Sequence, residues 1–302
     1  MNNIEDAGIV FRNITKRYGT DSSAALAVKG ISFEVPRGTL TTILGPSGCG
    51  KTTTLRMIAG LESPTSGEIF IGGKNVTTLG PAQRNVSMMF QSYALFPHLN
   101  IWENVAFGLK REGLPKDEIQ KRTGEMLDLV QLGTFAKRKP HQLSGGQQQR
   151  VAIATALANA PSVLLADEPT GELDEAHSVE VLDAMRDSAE RLGTTVLIVT
   201  HDPMVSEHVA RTVQIRDGRT STEVLRRSVP DGAGGLGQTT MIVTSMRGAA
   251  SGGTIDSVRV IAEQARDSST RTVLLNPHAL SSGPGELVRA DRRSEPSDAA
   301  LV

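Results

Sequence analysis

Cysteine and long apolar runs are both scarce in this chain of 302 residues. The single cysteine, Cys49, excludes an internal disulfide framework and is typical of a protein from a reducing compartment. No apolar run approaches the roughly 20 residues that a membrane-spanning helix needs. Residues 1–6 lack the basic and apolar regions of a signal peptide. If the protein works at a membrane, we expect another polypeptide to supply the spanning segments.

An excess of charge of one sign is also lacking. The 32 basic and 33 acidic residues give a formal net charge of -1, so no overall field indicates binding to nucleic acid or to an anionic membrane. A hydrophobic content of 38% and a charged content of 22% are typical of a soluble globular protein. The length allows one large domain with an appendage, or two domains.

A glycine-rich loop at residues 45–52 matches the pattern G-x-x-x-x-G-K-[ST], in which backbone N–H groups surround a polyphosphate. Residues 39–44 before it are typical of a buried strand, and residues 53–59 after it have helical spacing of apolar residues. This order points the N-terminus of a helix at an anion. We expect Lys51 to reach the terminal phosphates and the Thr52 hydroxyl to bind Mg²⁺.

Polar residues follow three apolar strands. The strand at 162–166 leads to Asp167, which fits a contact to Mg²⁺, and to Glu168, which fits a general base acting on water. The strand at 194–200 leads to His201, which can donate to a γ-phosphate. Gln91 ends the strand at 85–90 and is a candidate for contact with Mg²⁺ or the attacking water.

A second anion site is predicted where Ser144 and two glycines open a helix. One nucleotide can use both sites if they come from different copies of the protein. Asp174 follows in a polar turn, where it can cross a subunit boundary. Tyr18, at the end of the first predicted strand, can stack on a purine or be an ordinary strand-end aromatic.

Two further segments lie outside these motifs, one between Gln91 and Ser144 and one after the last motif. Residues 100–136 have helical spacing and are predicted to form a block inserted between strands. Residues 227–302 are rich in Gly, Ser and Arg, and we expect a largely disordered tail because few apolar runs are present to build a core. The apolar stretches 241–243 and 258–261 can still form short strands.

Together these motifs resemble the ATP-binding subunit of an ABC transporter over about residues 8–226. The family's motifs occur here in the same order along the chain: the aromatic A-loop at Tyr18, the Walker A motif at 45–52, the Q-loop at Gln91, the signature motif at 143–147, Walker B with the catalytic glutamate at 163–168, the D-loop at Asp174 and the switch histidine at His201. The resemblance implies an α/β fold: a P-loop NTPase core with an antiparallel β-subdomain and a helical subdomain inserted at about 92–157. It implies the following nucleotide-binding residues: Tyr18, Gly45, Pro46, Ser47, Gly48, Cys49, Gly50, Lys51, Thr52, Thr53, Ser144, Gly145, Gly146, Gln147 and Asp174.

The resemblance also implies a function. Glu168, His201 and Gln91 are the expected catalytic residues, and Thr52, Gln91 and Asp167 the expected Mg²⁺ contacts. ATP would be sandwiched in a head-to-tail homodimer or heterodimer. Transmembrane permease subunits would bind this dimer at the cytoplasmic face of the membrane, and no nucleic acid is expected as a partner. Because Cys49 lies in the phosphate loop, thiol-sensitive ATP hydrolysis is a hypothesis, against the alternative of a small filler residue.

The resemblance has two parts. Up to about residue 150 the chain is similar to importer ATPases for polyamines, ferric iron or sugars, and from about Leu157 to the lipoprotein-release and macrolide-export branch. A mosaic origin would explain the change. Because the two parts resemble different branches, the sequence does not determine whether the direction of transport is import or export. Non-transport ABC ATPases of DNA repair or translation are the alternative; a single cassette without heptads between Thr52 and Leu143 disfavours them. A small-molecule P-loop kinase does not account for the signature motif or His201.

Overall fold

A computed structural model describes residues 7–19, 25–90, 94–209 and 211–230, together with strands at 236–245, 258–263 and 271–275. The strands are β1 (Ala7–Arg17), β2 (Leu26–Pro36), β3 (Leu40–Leu44), β4 (Ser66–Ile71), β5 (Lys74–Asn75), β6 (Val86–Met89), β7 (Val163–Asp167), β8 (Thr195–Thr200), β9 (Arg211–Arg216), β10 (Arg219–Pro230), β11 (Leu236–Ser245), β12 (Val258–Glu263) and β13 (Arg271–Leu275). The α-helices are α1 (Lys51–Ala59), α2 (Ile101–Arg111), α3 (Lys116–Leu129), α4 (Gly145–Leu157) and α5 (Glu175–Leu192).

Two sheets organise the fold. The smaller sheet is antiparallel with order β2-β1-β4-β5. The larger has order β13-β12-β11-β10-β9-β3-β8-β7-β6 among the described residues, and its part from β9 to β6 is parallel. Parallel strands need cover on both faces, which explains why every residue of β8 is buried. The predicted α/β class with an antiparallel subdomain is confirmed.

The register of the parallel strands determines where the site can form. Leu44 at the end of β3 lies beside Thr200 at the end of β8, and Asp167 at the end of β7 lies beside Val199. The carboxyl ends of these three strands therefore meet at one edge of the sheet, where open α/β sheets bind ligands.

Helices α2, α3 and α4 lie between β6 and β7 in the chain, inside the interval predicted for the helical subdomain. Asn100 opens α2 with a capping box, accepting from the Glu103 N–H at 2.8 Å while Glu103 accepts from the Asn100 N–H at 2.8 Å. The apolar faces of these helices and of α5 pack together with one face of the large sheet, and α1 packs with the opposite face and the small sheet. Each face of the large sheet thus has its own apolar core.

Strands extend the large sheet into the segment predicted to be a disordered tail. Strand β10 pairs antiparallel with β9 and β11, and β11, β12 and β13 continue in order. Strand β10 runs through residue 226, where we placed the end of the ATPase domain. The end of β10 and strands β11, β12 and β13 lie in the segment predicted to be largely disordered, and antiparallel neighbours satisfy their backbone. Strands β11 and β12 include the apolar stretches 241–243 and 258–261, where the sequence allows short strands. The rest of the tail lies outside the described residues, and the division into domains stays a prediction.

A buried arginine holds the C-terminal end of α1, the helix that follows the phosphate loop. Arg84 is 4% exposed, and its guanidinium donates to the carbonyls of Met57 (2.6 Å), Ile58 (3.1 Å) and Leu79 (2.6 and 2.8 Å). Burial lowers the pKa of Arg84 below its usual value. A cation at a helix C-terminus interacts favourably with the helix dipole, so Arg84 fixes α1 against the loop that leads into β6.

Replacing Arg84 with Met is expected to lower the free energy of unfolding by about 3 kcal/mol, because several buried carbonyls lose their donors at about 1–3 kcal/mol each. Relief from burying a charge offsets only part of this loss. Urea unfolding measures the change. The control is Arg37→Met, which alters an exposed side chain in a turn and should stay within about 0.5 kcal/mol of the parent. Equal stability of the two variants would contradict the role given to Arg84.

Candidate functional site

The phosphate loop connects β3 to α1 in a conformation that depends on glycine. Gly48 and Gly50 have φ values of 78° and 102°, which only glycine adopts readily. A Cβ on Gly45 would lie 2.2 Å from the Ile215 carbonyl oxygen, so this position also requires glycine. The Lys51 ammonium crosses back over the loop and donates to the carbonyls of Gly45 (2.7 Å) and Pro46 (3.1 Å). These neutral acceptors can be exchanged for phosphate oxygens, so the loop fits a polyphosphate.

Ser47 and Cys49 lie in the same loop but differ in exposure. Ser47 is exposed, as are Pro46 and Gly48. Cys49 is 5% exposed, and its Sγ would lie 2.7 Å from a Cβ on Gly45. The thiol therefore fills the space behind the loop.

Thr52 and Asp167 lie together at the sheet edge. The Thr52 hydroxyl donates to Asp167 Oδ1 at 3.3 Å. Burial, and to a smaller extent the adjacent charge of Glu168, raises the pKa of Asp167, while the Thr52 hydrogen bond and Lys51 act in the opposite direction. A hydroxyl and a carboxylate are hard oxygen ligands, and Mg²⁺ commonly uses one or two such groups together with substrate phosphates. Within the described part of the chain, no group of three His, Cys, Asp or Glu side chains can hold a metal by itself.

Glu168 and His201 are in contact. Glu168 has a φ of 48°, and its N–H donates to the Val199 carbonyl at 2.9 Å, which attaches the residue to β8. Its carboxylate accepts from His201 Nδ1 at 2.9 Å, with that tautomer assigned from the contact. The Glu168 side chain is 15% exposed and that of His201 is 60% exposed. The shielded carboxylate can orient water, and the accessible imidazole can donate to an anion.

Tyr18 directly follows β1, and its side chain lies beside the first turn of α1. Its hydroxyl is 3.3 Å from the Thr53 Oγ1, and the Lys16 ammonium is 4.9 Å from the centre of its ring. The residue is 47% exposed, so part of the ring is available for stacking on a base. The structure thus places Tyr18 and Thr53 beside the phosphate loop.

The signature residues form the N-terminus of α4. Ser144 Oγ accepts from the Gln147 N–H at 3.3 Å, and Gln147 Oε1 accepts from the Ser144 N–H at 3.1 Å. Gly145 and Gly146 occupy the first turn. Among the residues that the structure describes, no hydrogen bond or ion pair joins this motif to residues 45–52.

Asp174 caps α5 and accepts from the backbone N–H of His177 at 2.9 Å and from its Nδ1 at 2.7 Å. These hydrogen bonds lower the pKa of Asp174. The same imidazole covers Gly146, where a Cβ would lie 2.8 Å from His177 Cδ2. His177 therefore links the D-loop and the signature motif of one chain.

Gln91 lies outside the described residues, so its assignments as a catalytic residue and as a Mg²⁺ contact stay predictions. Sequence reasoning missed the contact of His177 with Gly146, which no local pattern indicates. It also missed Thr200, whose Oγ1 donates to Glu168 Oε2 at 2.8 Å; the available signal was a polar residue at the end of an apolar strand, directly before His201.

Comparisons with known proteins agree with this geometry. The sequence profile described as ABC transporter matches residues 28–171. The spermidine/putrescine import ATP-binding protein PotA of Rubrobacter xylanophilus is 42% identical over 297 residues, which cover 94% of this chain and 74% of the relative. This chain belongs to the ABC transporter family. Its likeness to polyamine importers, expected from the first half of the sequence, is confirmed.

Other ABC proteins extend the comparison. PotA of Acidothermus cellulolyticus is 52% identical over 202 residues, which cover 66% of this chain and 52% of the relative. The dimeric ATP-binding cassette MJ0796, solved in a post-hydrolysis state with ADP and Pi, is 36% identical with a TM-score of 0.62, covering 71% of this chain and 97% of the cassette. The chain thus spans about half the length of the first of these relatives. No helix among the described residues is long and apolar enough to cross a membrane.

Complete alkylation of Cys49 with N-ethylmaleimide is expected to lower ATP turnover more than about tenfold, because the adduct must displace the packed phosphate loop and small displacements of a site are costly. Turnover is measured on protein whose modification is verified by mass spectrometry. The matched control is Cys49→Ala, which has no thiol and should be indifferent to the reagent. Full activity of the completely alkylated protein would leave Cys49 as a filler residue.

Proposed function

We propose that this ABC protein is the ATP-hydrolysing subunit of a membrane transporter. The observation that carries the proposal is the meeting of Lys51, the Thr52–Asp167 pair and the Glu168–His201 pair at one edge of the parallel sheet. Each supplies a different requirement of phosphoryl transfer to water: charge on the phosphates, oxygen ligands for a metal, and a base beside a donor.

Nucleotide binding follows from the loop and its surroundings. Backbone N–H groups of residues 47–50 and the Lys51 ammonium hold the phosphates of ATP, and Tyr18 stacks on the adenine. Thr52, Asp167 and Gln91 would hold Mg²⁺, which would neutralise phosphate charge. The hydrogen bonds from the Lys51 ammonium to the Gly45 and Pro46 carbonyls support this assignment, because these carbonyls are weaker acceptors than phosphate oxygens.

Hydrolysis follows from the geometry of Glu168. Its carboxylate orients the water and receives one of its protons as the water oxygen bonds to the γ-phosphorus. The bond from that phosphorus to the bridging oxygen breaks, and ADP leaves with the electron pair. His201 donates to the γ-phosphate and so favours the charge that builds up there.

Completion of the pocket requires a second chain. Ser144, Gly145, Gly146 and Gln147 present a helix N-terminus, yet within the described residues no hydrogen bond or ion pair joins them to their own phosphate loop. We infer that they bind the nucleotide held by a partner cassette, in a homodimer or heterodimer, and that Asp174 crosses the same boundary. The dimeric form of MJ0796 with ADP and Pi supports this arrangement.

A membrane partner is inferred from the relatives and from one surface. The PotA relatives are named as import ATP-binding proteins, which favours import over export and attachment to the cytoplasmic face of the membrane. Phe96 and Phe107 are 39% and 40% exposed with ring centres 4.6 Å apart, and exposed apolar groups of this kind commonly mark an interface. The relatives give no support to a role in DNA repair or translation, and we propose no nucleic-acid partner.

The test is purification of the full tagged chain from detergent-solubilised membranes of its host, followed by mass spectrometry. We expect a membrane protein with several spanning helices in about stoichiometric amount. The control is an unrelated tagged cytosolic protein from the same membranes. Recovery of the chain with ribosomes or DNA, or with no membrane protein at all, would contradict the transport proposal.

A further inference from the structure

The two carboxylate oxygens of Glu168 have different surroundings. Oε2 accepts from the Thr200 hydroxyl at 2.8 Å and from the His201 backbone N–H at 3.3 Å. Oε1 accepts from His201 Nδ1 at 2.9 Å. Thr200 is 1% exposed, whereas the His201 side chain is 60% exposed. One oxygen is therefore held by the buried Thr200 side chain and a backbone N–H, and the other by a side chain that is accessible to solvent.

The direction of the Thr200 hydrogen bond is determined by its neighbours. The Thr200 hydroxyl oxygen accepts from the Asp202 N–H at 3.1 Å. A hydroxyl has one proton to donate, and the nearest acceptor for it is Glu168 Oε2. Thr200 thus connects the end of β8 to the carboxylate of Glu168, the residue that directly follows the neighbouring strand β7.

We propose that Thr200 is a positioning residue that fixes Oε2 of Glu168 and leaves Oε1 as the oxygen that receives the proton of the attacking water. The proposal rests on the assignment of Glu168 as the general base. When His201 turns to the γ-phosphate, Oε1 loses its only side-chain donor among the described residues and becomes free for water, while Oε2 stays fixed. A single movement of His201 then makes Oε1 of Glu168 available to water only when ATP is bound.

Loss of the Thr200 hydroxyl has a specific consequence. The Glu168 side chain has three rotatable bonds. Without the Thr200 hydroxyl, and once His201 has turned to the γ-phosphate, its orientation depends on the weaker 3.3 Å contact with the His201 N–H. Displacement of a catalytic group by about 1 Å can lower the rate on the order of 100-fold. The effect should fall on turnover and not on nucleotide affinity, because within the described part of the chain the Thr200 hydroxyl makes no hydrogen bond to residues 45–52. The Thr200 backbone carbonyl accepts from the Gly45 N–H at 3.3 Å, and side-chain substitution keeps that contact.

The experiment compares three variants in the full chain. Thr200→Val removes the hydroxyl at nearly constant shape, and we expect kcat to fall about 10–100-fold while the KM for ATP and the Kd of a fluorescent ATP analogue change less than about threefold. Thr200→Ser keeps the hydroxyl and should restore kcat to within about threefold of the parent. The matched control is Thr42→Val, because Thr42 is a fully buried threonine of β3 whose hydroxyl has no hydrogen-bond partner among the described residues. Its kcat should equal that of the parent.

A second measurement does not depend on activity. A crystal structure of Thr200→Val with a non-hydrolysable ATP analogue, or of Thr200→Ala if the valine variant does not fold, should show Glu168 in more than one rotamer, because His201 then no longer holds Oε1. The Thr200→Ser structure should keep a single rotamer with Oε2 on the hydroxyl. Parent-like kcat together with a single Glu168 rotamer in the hydroxyl-free variant would overturn the proposal.

The double variant Glu168→Gln/Thr200→Val separates this inference from the proposed function. If Thr200 acts through Glu168, the second substitution adds no further loss of kcat to Glu168→Gln, since residues that act as a unit are not additive. A slow Glu168→Gln variant beside a fully active Thr200→Val variant would reject the role of Thr200 alone. Normal turnover by Glu168→Gln would instead reject the general base itself.

Discussion

Replacing Glu168 with Gln is expected to lower the turnover number for ATP about 10²–10⁴-fold, the usual contribution of a general base. Glutamine is nearly the same size as glutamate, and its amide oxygen can still accept from Thr200, so the fold of the site is kept. What is lost is the negative charge that orients water and receives its proton. Because the phosphate loop and Lys51 are unchanged, ATP affinity should stay within about threefold of the parent.

The same variant should accumulate as a closed dimer. If hydrolysis opens the dimer, an ATP-loaded Glu168→Gln protein has no route to that step, and size-exclusion chromatography with light scattering should show dimer in ATP and monomer without it. The matched control is Glu172→Gln, the same chemical change at an exposed residue of the same loop. Normal turnover by Glu168→Gln would remove Glu168 from its proposed role.

Mixing two inactive variants should restore ATP hydrolysis if each pocket is shared between two chains. Lys51→Ala loses the phosphate-binding ammonium but keeps its signature motif. Ser144→Asp keeps the helix cap, because aspartate is as good an N-cap as serine, but it places a negative charge where the partner's nucleotide binds. Each variant alone forms dimers in which both pockets are defective, so each should be nearly inactive.

A mixed dimer has one intact pocket, made from Lys51 of the Ser144→Asp chain and the signature motif of the Lys51→Ala chain. Random pairing of equal amounts of a symmetric dimer gives mixed dimers in half of the cases, so turnover should return to about a quarter of the parent if each pocket works independently. Ser144→Asn is the control, since asparagine also caps the helix without adding a charge. No recovery on mixing, or full ATP turnover by a verified monomer of the parent, would contradict the shared pocket.

Local sequence was sufficient for much of the site. Glycines 48 and 50 and Lys51 directly after them predicted the loop and the helix start, because positive φ values and a helix N-terminus are properties of neighbouring residues. Ser144 and Gln147 were recognisable as a helix start for the same reason. The apolar runs before Asp167 and His201 predicted strands, and parallel strands bring their carboxyl ends to one edge.

Contacts between distant residues required the tertiary structure. The hydrogen bond of Thr200 to Glu168 joins residues 32 positions apart and depends on the register of β7 against β8. Arg84 reaches the end of α1 across 26 and 27 positions, and His177 covers Gly146 from another helix. Strands β10 to β13 are likewise stabilised by pairing with β9 and with one another, and that pairing is not a local property of the sequence.

The sequence by itself determined the order of the motifs, the α/β class and the kind of ligand, since glycine conformation, helix capping and apolar periodicity are set within a few residues. Only the tertiary structure decided which oxygen of Glu168 is held, what fixes α1 and which strands are neighbours in the sheet. An apolar pattern specifies which face of a strand is buried, but it does not specify the neighbouring strand or the side chain that will meet it there.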